Sequence, residues 1–71
     1  GWVGYQIMDH DRDLGPILEV IEQPHQVLCR LEIESKEVLI PINEQTLNRV
    51  DHKNRAVFLT LPDGLLEVYL G

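Results

Sequence analysis

The chain has 71 residues, a formal net charge of −6 and a single cysteine, which is enough for one domain. Cys29 alone excludes an intrachain disulfide framework, and no apolar run approaches the roughly 18 residues of a membrane-spanning helix. Twelve acidic residues against six basic ones argue against a mainly electrostatic grip on nucleic acid, because that grip requires cationic side chains. The same charge suits a basic partner protein; the alternative is that it only keeps a small domain soluble.

Apolar residues recur mostly at every second position between short polar segments, and this pattern predicts six short strands. In chain order the predicted strands cover residues 3–7, 14–22, 27–33, 38–42, 47–50 and 55–61. Gly15 and Pro16 predict a bend or bulge early in the second strand. Residues 43–46 predict a single helical turn.

The predicted strands follow each other too closely for crossover helices, so we expect antiparallel pairing throughout. A sheet of many short strands hides its edges by closing on itself or folding over. The predicted fold class is therefore all-β: a small, closed, six-stranded antiparallel barrel, formed by one domain over residues 1–71. The apolar tail at residues 65–70 is predicted to pack on this barrel.

Residue types that carry chemistry do not converge in the sequence. His10, His25 and His52 fall in three different turns without metal-ligand spacing, and the apolar neighbours of Cys29 indicate a buried thiol. The acidic segment 9–13 lacks the glycine and glutamate of a calcium-binding loop. We therefore predict no catalytic site, no metal and no cofactor, and a domain that is not an enzyme. The enzymatic alternative is a metal centre assembled by folding alone.

Aromatic residues are few and do not alternate with basic residues along a strand, as a base-stacking platform requires. Direct sequence-specific binding of nucleic acid is therefore not expected. Both ends of the chain, by contrast, are unusually apolar for termini. Such side chains are covered by the domain's own core, by a neighbouring domain or by a partner, and these possibilities stay open here. The candidate partner-binding residues are Trp2, Tyr5, Leu65, Leu66 and Tyr69.

Five segments together resemble one known family. They are Val3-Gly4-Tyr5-Gln6-Ile7-Met8-Asp9, Leu14-Gly15-Pro16-Ile17 with Val20, Gln26-Val27-Leu28, Glu37-Val38-Leu39-Ile40-Pro41, and Leu61-Pro62-Asp63-Gly64-Leu65-Leu66. In order and spacing, over almost the whole chain, they resemble the C-terminal PRC-barrel domain of the bacterial ribosome maturation factor RimM.

That resemblance implies a cytoplasmic assembly factor, longer than this chain, with a separate N-terminal barrel domain. It implies support of small-subunit maturation and ribosomal RNA processing, through binding of the small ribosomal subunit and its basic head protein, small-subunit ribosomal protein nineteen. Some members carry an aromatic pair before the opening strand that is implicated in ribosome binding, and here only Trp2 stands near that position. The alternative is a structural or regulatory PRC-barrel interaction module outside ribosome assembly.

Overall fold

A computed structural model describes residues 1–71, the whole chain. The chain forms seven strands and one short helix, so the all-β class is confirmed. The strands are β1 (Gln6–Asp9), β2 (Arg12–Pro16), β3 (Glu19–Gln23), β4 (Gln26–Ile33), β5 (Lys36–Ile42), β6 (Leu47–Asp51) and β7 (Ala56–Leu59), and the helix is α1 (Leu65–Leu70).

The strands form two open sheets rather than a closed barrel. A four-stranded sheet has the order β2-β1-β7-β6, and a three-stranded sheet has the order β3-β4-β5. Buried apolar side chains from both sheets join in one core, as they do when two sheets pack face to face. The eleven core residues are Tyr5, Ile7, Leu14, Ile17, Cys29, Leu31, Val38, Ile40, Val57, Leu59 and Leu66. The predicted closed barrel is wrong. The two sheets bury their inner faces against each other, and no continuous hydrogen-bond ladder joins them into a closed cylinder.

The structure has seven strands instead of the predicted six. The additional strand arises at a corner between the two sheets, where one predicted strand is divided. The Ile17 amide donates to the Tyr5 carbonyl (2.8 Å), which extends the first sheet, whereas the Leu18 amide donates to the Arg30 carbonyl (2.9 Å) of the second. The predicted strand 14–22 is thereby divided into β2 and β3. Pro16 has no amide hydrogen to extend a ladder. The predicted irregularity near Gly15 is confirmed as a bulge between β1 and β2, with a φ of 100° at Gly15.

One strand pair overturns the expectation of antiparallel pairing throughout. β1 and β7 pair in parallel, with Gln6 opposite Ala56 and Asp9 opposite Leu59, whereas all other pairs are antiparallel. Parallel pairing requires a long crossover, but that crossover need not be a helix. Here β2 to β6 lie between the two strands, so the connection contains the whole second sheet together with β2 and β6 of the first.

The connections that hold the sheets are specified locally. β4 and β5 meet at a two-residue turn in which Glu34 and Ser35 both have positive φ (53° and 65°), the conformation of a tight hairpin. The predicted turn at residues 43–46 is confirmed, since the Leu47 amide donates to the Asn43 carbonyl (2.9 Å). The predicted packing of the tail is also confirmed, because α1 places Leu66 in the core at 9% exposure.

Candidate partner-binding surface

The inner face of the three-stranded sheet extends beyond the core. Cys29 and Ile40 are opposite each other in the β4–β5 ladder and are fully buried. Two positions further along the same face, Val27 is opposite Ile42, and both side chains are only partly buried. Val20, opposite Cys29 on β3, is also only partly buried. The regular alternation of the strands therefore leaves apolar side chains at one end of the domain that are incompletely covered.

An apolar groove of about 410 Å³ lies at this end. The N-terminal segment forms its other side, and Val3 remains 57% exposed there. Glu22 is the one acidic side chain in the lining. We call this feature the Trp2 groove, and its lining consists of Gly1, Trp2, Val3, Val20, Glu22, Val27 and Ile42.

Main-chain bonds hold the N-terminal segment over the groove. The Tyr5 amide donates to the Trp2 carbonyl (2.9 Å), and the Gly4 amide donates to the Ile17 carbonyl (2.8 Å). Gly4 has a φ of 91°, and a Cβ at this residue would lie 3.0 Å from a guanidinium nitrogen of Arg55. A glycine fits both the backbone conformation and the close approach. The position of Trp2 is therefore set by a turn that is anchored to the body of the domain.

Tyr5 attaches that turn to the four-stranded sheet. Its ring is buried, with 9% exposure, and its hydroxyl forms a hydrogen bond with Nδ1 of His52 (2.9 Å) in the β6–β7 loop. The Arg55 guanidinium lies 5.3 Å from the centre of the same ring. Tyr5 was predicted to contact a partner, and the structure places it within the core.

The predicted contact residues of the C-terminal tail lie at the other end of the domain. Leu66 is buried in the core, while Leu65 and Tyr69 are partly buried on α1. Leu66 borders a small pocket together with Glu34 of the β4–β5 turn. Because the β4–β5 ladder runs from that turn to the Trp2 groove, its seven residue pairs separate the two ends by roughly 20 Å. The five predicted contact residues therefore do not form one surface.

The cysteine and the three histidines lie apart from one another in the structure. Burial raises the pKa of the Cys29 thiol to about 11, which suppresses the reactive thiolate. His10, His25 and His52 lie in three separate connections, and no group of three or more His, Cys, Asp or Glu side chains is arranged to hold a metal ion. No helix in the structure has the length and apolar character needed to cross a bilayer.

The fold thus defines a small two-sheet β-domain with an apolar groove at one end. Residues 2–65 match the family described as the RimM PRC barrel domain, and the chain belongs to this family. It is 34% identical over 70 residues to the ribosome maturation factor RimM of Christiangramia forsetii, which covers 97% of this chain and 40% of that protein. It is also 34% identical over 68 residues to the ribosome maturation factor RimM of Parabacteroides distasonis, which covers 94% of this chain and 39% of that protein. The chain spans about two fifths of the length of these relatives.

Most of the groove lining was missed by reasoning from the sequence. Val20, Val27 and Ile42 look like ordinary inward-facing strand residues, and only the pairing of β3, β4 and β5 brings them together. For Val27 and Ile42, the signal that was available is their position at the ends of the predicted strands 27–33 and 38–42. A sheet's inner face is covered least where its strands extend past the facing sheet.

Proposed function

We propose that this chain is a ribosome maturation factor domain that binds small-subunit ribosomal protein nineteen through the Trp2 groove. Through that contact it supports maturation of the small ribosomal subunit and processing of its RNA. The observation that carries the proposal is an incompletely covered apolar groove in a chain whose relatives are ribosome maturation factors. We further propose that the chain acts in the cytoplasm as the C-terminal domain of a longer factor, beside an N-terminal barrel domain.

Apolar anchors in the groove account for how long the partner stays bound. Interfaces derive most of their binding energy from a few side chains, with tryptophan prominent among them, that fill well-packed and desolvated sites. Trp2 and the exposed Val3 offer such side chains at a surface where Val27 and Ile42 supply the floor. A partner loop with one or two apolar side chains fits a groove of this composition.

Charge accounts for the choice of a basic partner. The domain carries a net charge of −6, and Glu22 lies in the groove lining itself. Complementary charge speeds the encounter of two proteins and suppresses wrong partners, and salt weakens this effect. A basic head protein of the small subunit meets both requirements, because its charge steers it and the groove retains it.

The experiment is a calorimetric titration of the 71-residue chain with ribosomal protein nineteen across a salt series. We expect the affinity to fall as salt rises, and Trp2→Ala to weaken binding by about 30-fold or more, the loss typical of a hot-spot residue. The variant's circular dichroism must match that of the parent. Absence of binding at low salt would refute the proposal for this chain.

A matched pair of valines tests where the partner binds. Val3 in the groove and Val68 on α1 are both exposed, at 57% and 81%, and they lie at opposite ends of the domain. Val3→Ser should weaken binding by about 3- to 10-fold, corresponding to an apolar contact of about 1 kcal/mol. Val68→Ser removes the same methyl groups and should change nothing. Equal effects of the two substitutions would contradict a partner in the Trp2 groove.

A further inference from the structure

The charge of this domain is separated in space. The segment from Arg49 to Arg55 carries three of the six basic residues and one of the twelve acidic residues, so its formal charge is +2. The other residues together carry −8. This segment forms the end of β6, the β6–β7 loop and the approach to β7, and we call it the basic hairpin.

Basic residues elsewhere lie in acidic segments, and one of them, Arg30, forms ion pairs. Arg30 Nε lies 2.9 Å from Glu19 Oε1 and 3.9 Å from Glu37 Oε1. Lys36 is next to Glu37 in the chain and two residues from Glu34. Arg12 borders two pockets whose acidic lining residues are Asp9, Glu34, Asp63 and Glu67. Residues 9–13 around Arg12 carry a formal charge of −2 and residues 34–37 around Lys36 carry −1, so these segments offer less to an anionic ligand than the hairpin does.

Cations of the basic hairpin differ in the sign of the charge around them, since the segment as a whole carries +2. Lys53 and Arg55 are exposed and, like Arg12 and Lys36, have no carboxylate within 4.0 Å. Arg49 has only Asp51, at a loose 3.9 Å, and its side chain is 61% exposed. Exposed His52 places an imidazole ring in the same loop. The hairpin thus presents positive charge to solvent with one carboxylate close by.

That carboxylate is engaged in shaping the loop. One Asp51 oxygen accepts a hydrogen bond from the Asn54 amide (3.0 Å), and the other accepts one from the Asn54 side chain (2.8 Å). These bonds lower the pKa of Asp51, so it remains charged and continues to hold the turn. Its oxygens are directed at Asn54, which leaves the cations of the loop available to a ligand.

Both arginines lie over aromatic rings, Arg49 at stacking distance and Arg55 further away. The Arg49 guanidinium lies 3.9 Å from the centre of the Phe58 ring, and Arg55 lies over Tyr5. A guanidinium that is stacked on a ring keeps its N–H groups directed outwards in its own plane, and less side-chain entropy is lost when it binds. Planar, fixed guanidinium groups are well suited to phosphate oxygens.

We propose that the basic hairpin binds the sugar-phosphate backbone of RNA, without reading its sequence. The inference deepens the proposed function and rests on it in one respect: ribosome maturation makes RNA the polyanion that lies beside this domain. An overall charge of −6 does not prevent such a contact. At physiological salt, charges more than about 8 Å apart are largely screened, so the local charge of the hairpin decides.

Salt dependence of RNA binding gives the first test. The probe is a short fluorescein-labelled RNA stem-loop, titrated with the 71-residue chain while its anisotropy is followed. About three phosphate contacts predict that affinity falls roughly 20- to 40-fold between 50 and 200 mM monovalent salt. Failure to bind at 50 mM salt, or binding that is insensitive to salt, would overturn the proposal.

Two lysines provide a matched comparison. Lys53→Glu in the basic hairpin and Lys36→Glu in the β4–β5 hairpin both change the net charge from −6 to −8. Lys53→Glu should weaken RNA binding about 10-fold and flatten the salt slope by about one, whereas Lys36→Glu should weaken it less than 2-fold. Equal losses would show a response to total charge and would overturn the assignment to the hairpin. Lys53→Gln and Lys36→Gln repeat the comparison with a smaller perturbation, should a charge reversal disturb folding.

Polyglutamate serves as a second polyanion, without ribose phosphates. If it binds as tightly as the RNA, with the same dependence on Lys53, the assignment to RNA is wrong. The two proposals can be refuted independently. Variants of Val3 report on binding of the protein partner in the Trp2 groove, and variants of Lys53 report on binding of RNA to the basic hairpin.

Discussion

The corner between the two sheets offers the sharpest test of the fold, through the substitution Ile17→Ala. Ile17 is 1% exposed and is the last residue bonded to the first sheet. The substitution removes three buried carbons, each worth about 0.8 kcal/mol of transfer free energy, or about 2.4 kcal/mol in all. The cavity that remains adds to this loss, so we expect the free energy of unfolding to fall by about 3 kcal/mol.

Urea denaturation at equilibrium measures this loss, with the single tryptophan, Trp2, and circular dichroism as probes. A domain of this size has an unfolding free energy of about 4 to 10 kcal/mol, and a slope near 1 kcal/mol per molar urea predicts a midpoint roughly 3 M lower. Leu18→Ala is the control, because the next residue along the chain is 40% exposed. Its effect should stay under about 1 kcal/mol. Equal losses for both variants would refute the corner as described.

Four further predictions concern three residues. Tyr5→Phe removes the hydroxyl bonded to His52 (2.9 Å) and should lower the unfolding free energy by about 1 kcal/mol, measured in the same urea experiment. Gly15→Ala places a Cβ at a φ of 100° in open space, so its cost is conformational, about 1 kcal/mol or more, seen as a lower melting temperature. Cys29 should react with a thiol reagent about 100-fold more slowly in the folded domain than in urea, because its pKa rises from 9.0 to about 11. Since the unfolded state loses this proton first, stability should fall as the pH rises from 9 towards 11, as denaturation across that range would show.

Alternation along the chain predicted most of the strands because each has one buried face. β4 is the clearest case: Cys29 and Leu31 are fully buried, while Glu32, between Leu31 and the partly buried Ile33, is exposed. The same pattern failed over residues 14–22, because Ile17 and Leu18 continue an apolar rhythm while their amides pair with different sheets. Periodicity reports which side chains are buried, but it does not report which strand lies alongside.

Parallel pairing of β1 with β7 was beyond sequence reasoning for a related reason. The rule that parallel strands need a crossover was applied only to the short connections between neighbouring strands, whereas the real crossover is most of the chain. The Trp2 groove was hidden in the same way. Trp2 was recognised as a candidate, but its neighbours Val27 and Ile42 become neighbours only through the β4–β5 register.

The two ends of the domain are covered to different degrees, one by helix α1 and the other by the N-terminal turn at Trp2. At one end α1 inserts Leu66 into the core, at 9% exposure. At the other end the N-terminal turn covers the sheet incompletely, which leaves Val3 exposed and the groove open. The open end is therefore the better candidate for a partner that supplies apolar side chains.

Tyr5 brings the two proposed surfaces to the same end. Its amide is bonded to Trp2, which lines the groove, and its hydroxyl is bonded to His52, which belongs to the basic hairpin. Tyr5 is therefore a buried connection between the groove and the hairpin. On these proposals, a basic ribosomal protein in the groove and the RNA backbone on the hairpin would lie side by side. A domain that holds a protein beside an RNA during assembly needs two adjacent surfaces of this kind. The apolar and acidic surface suits the basic protein, and the basic surface suits the RNA.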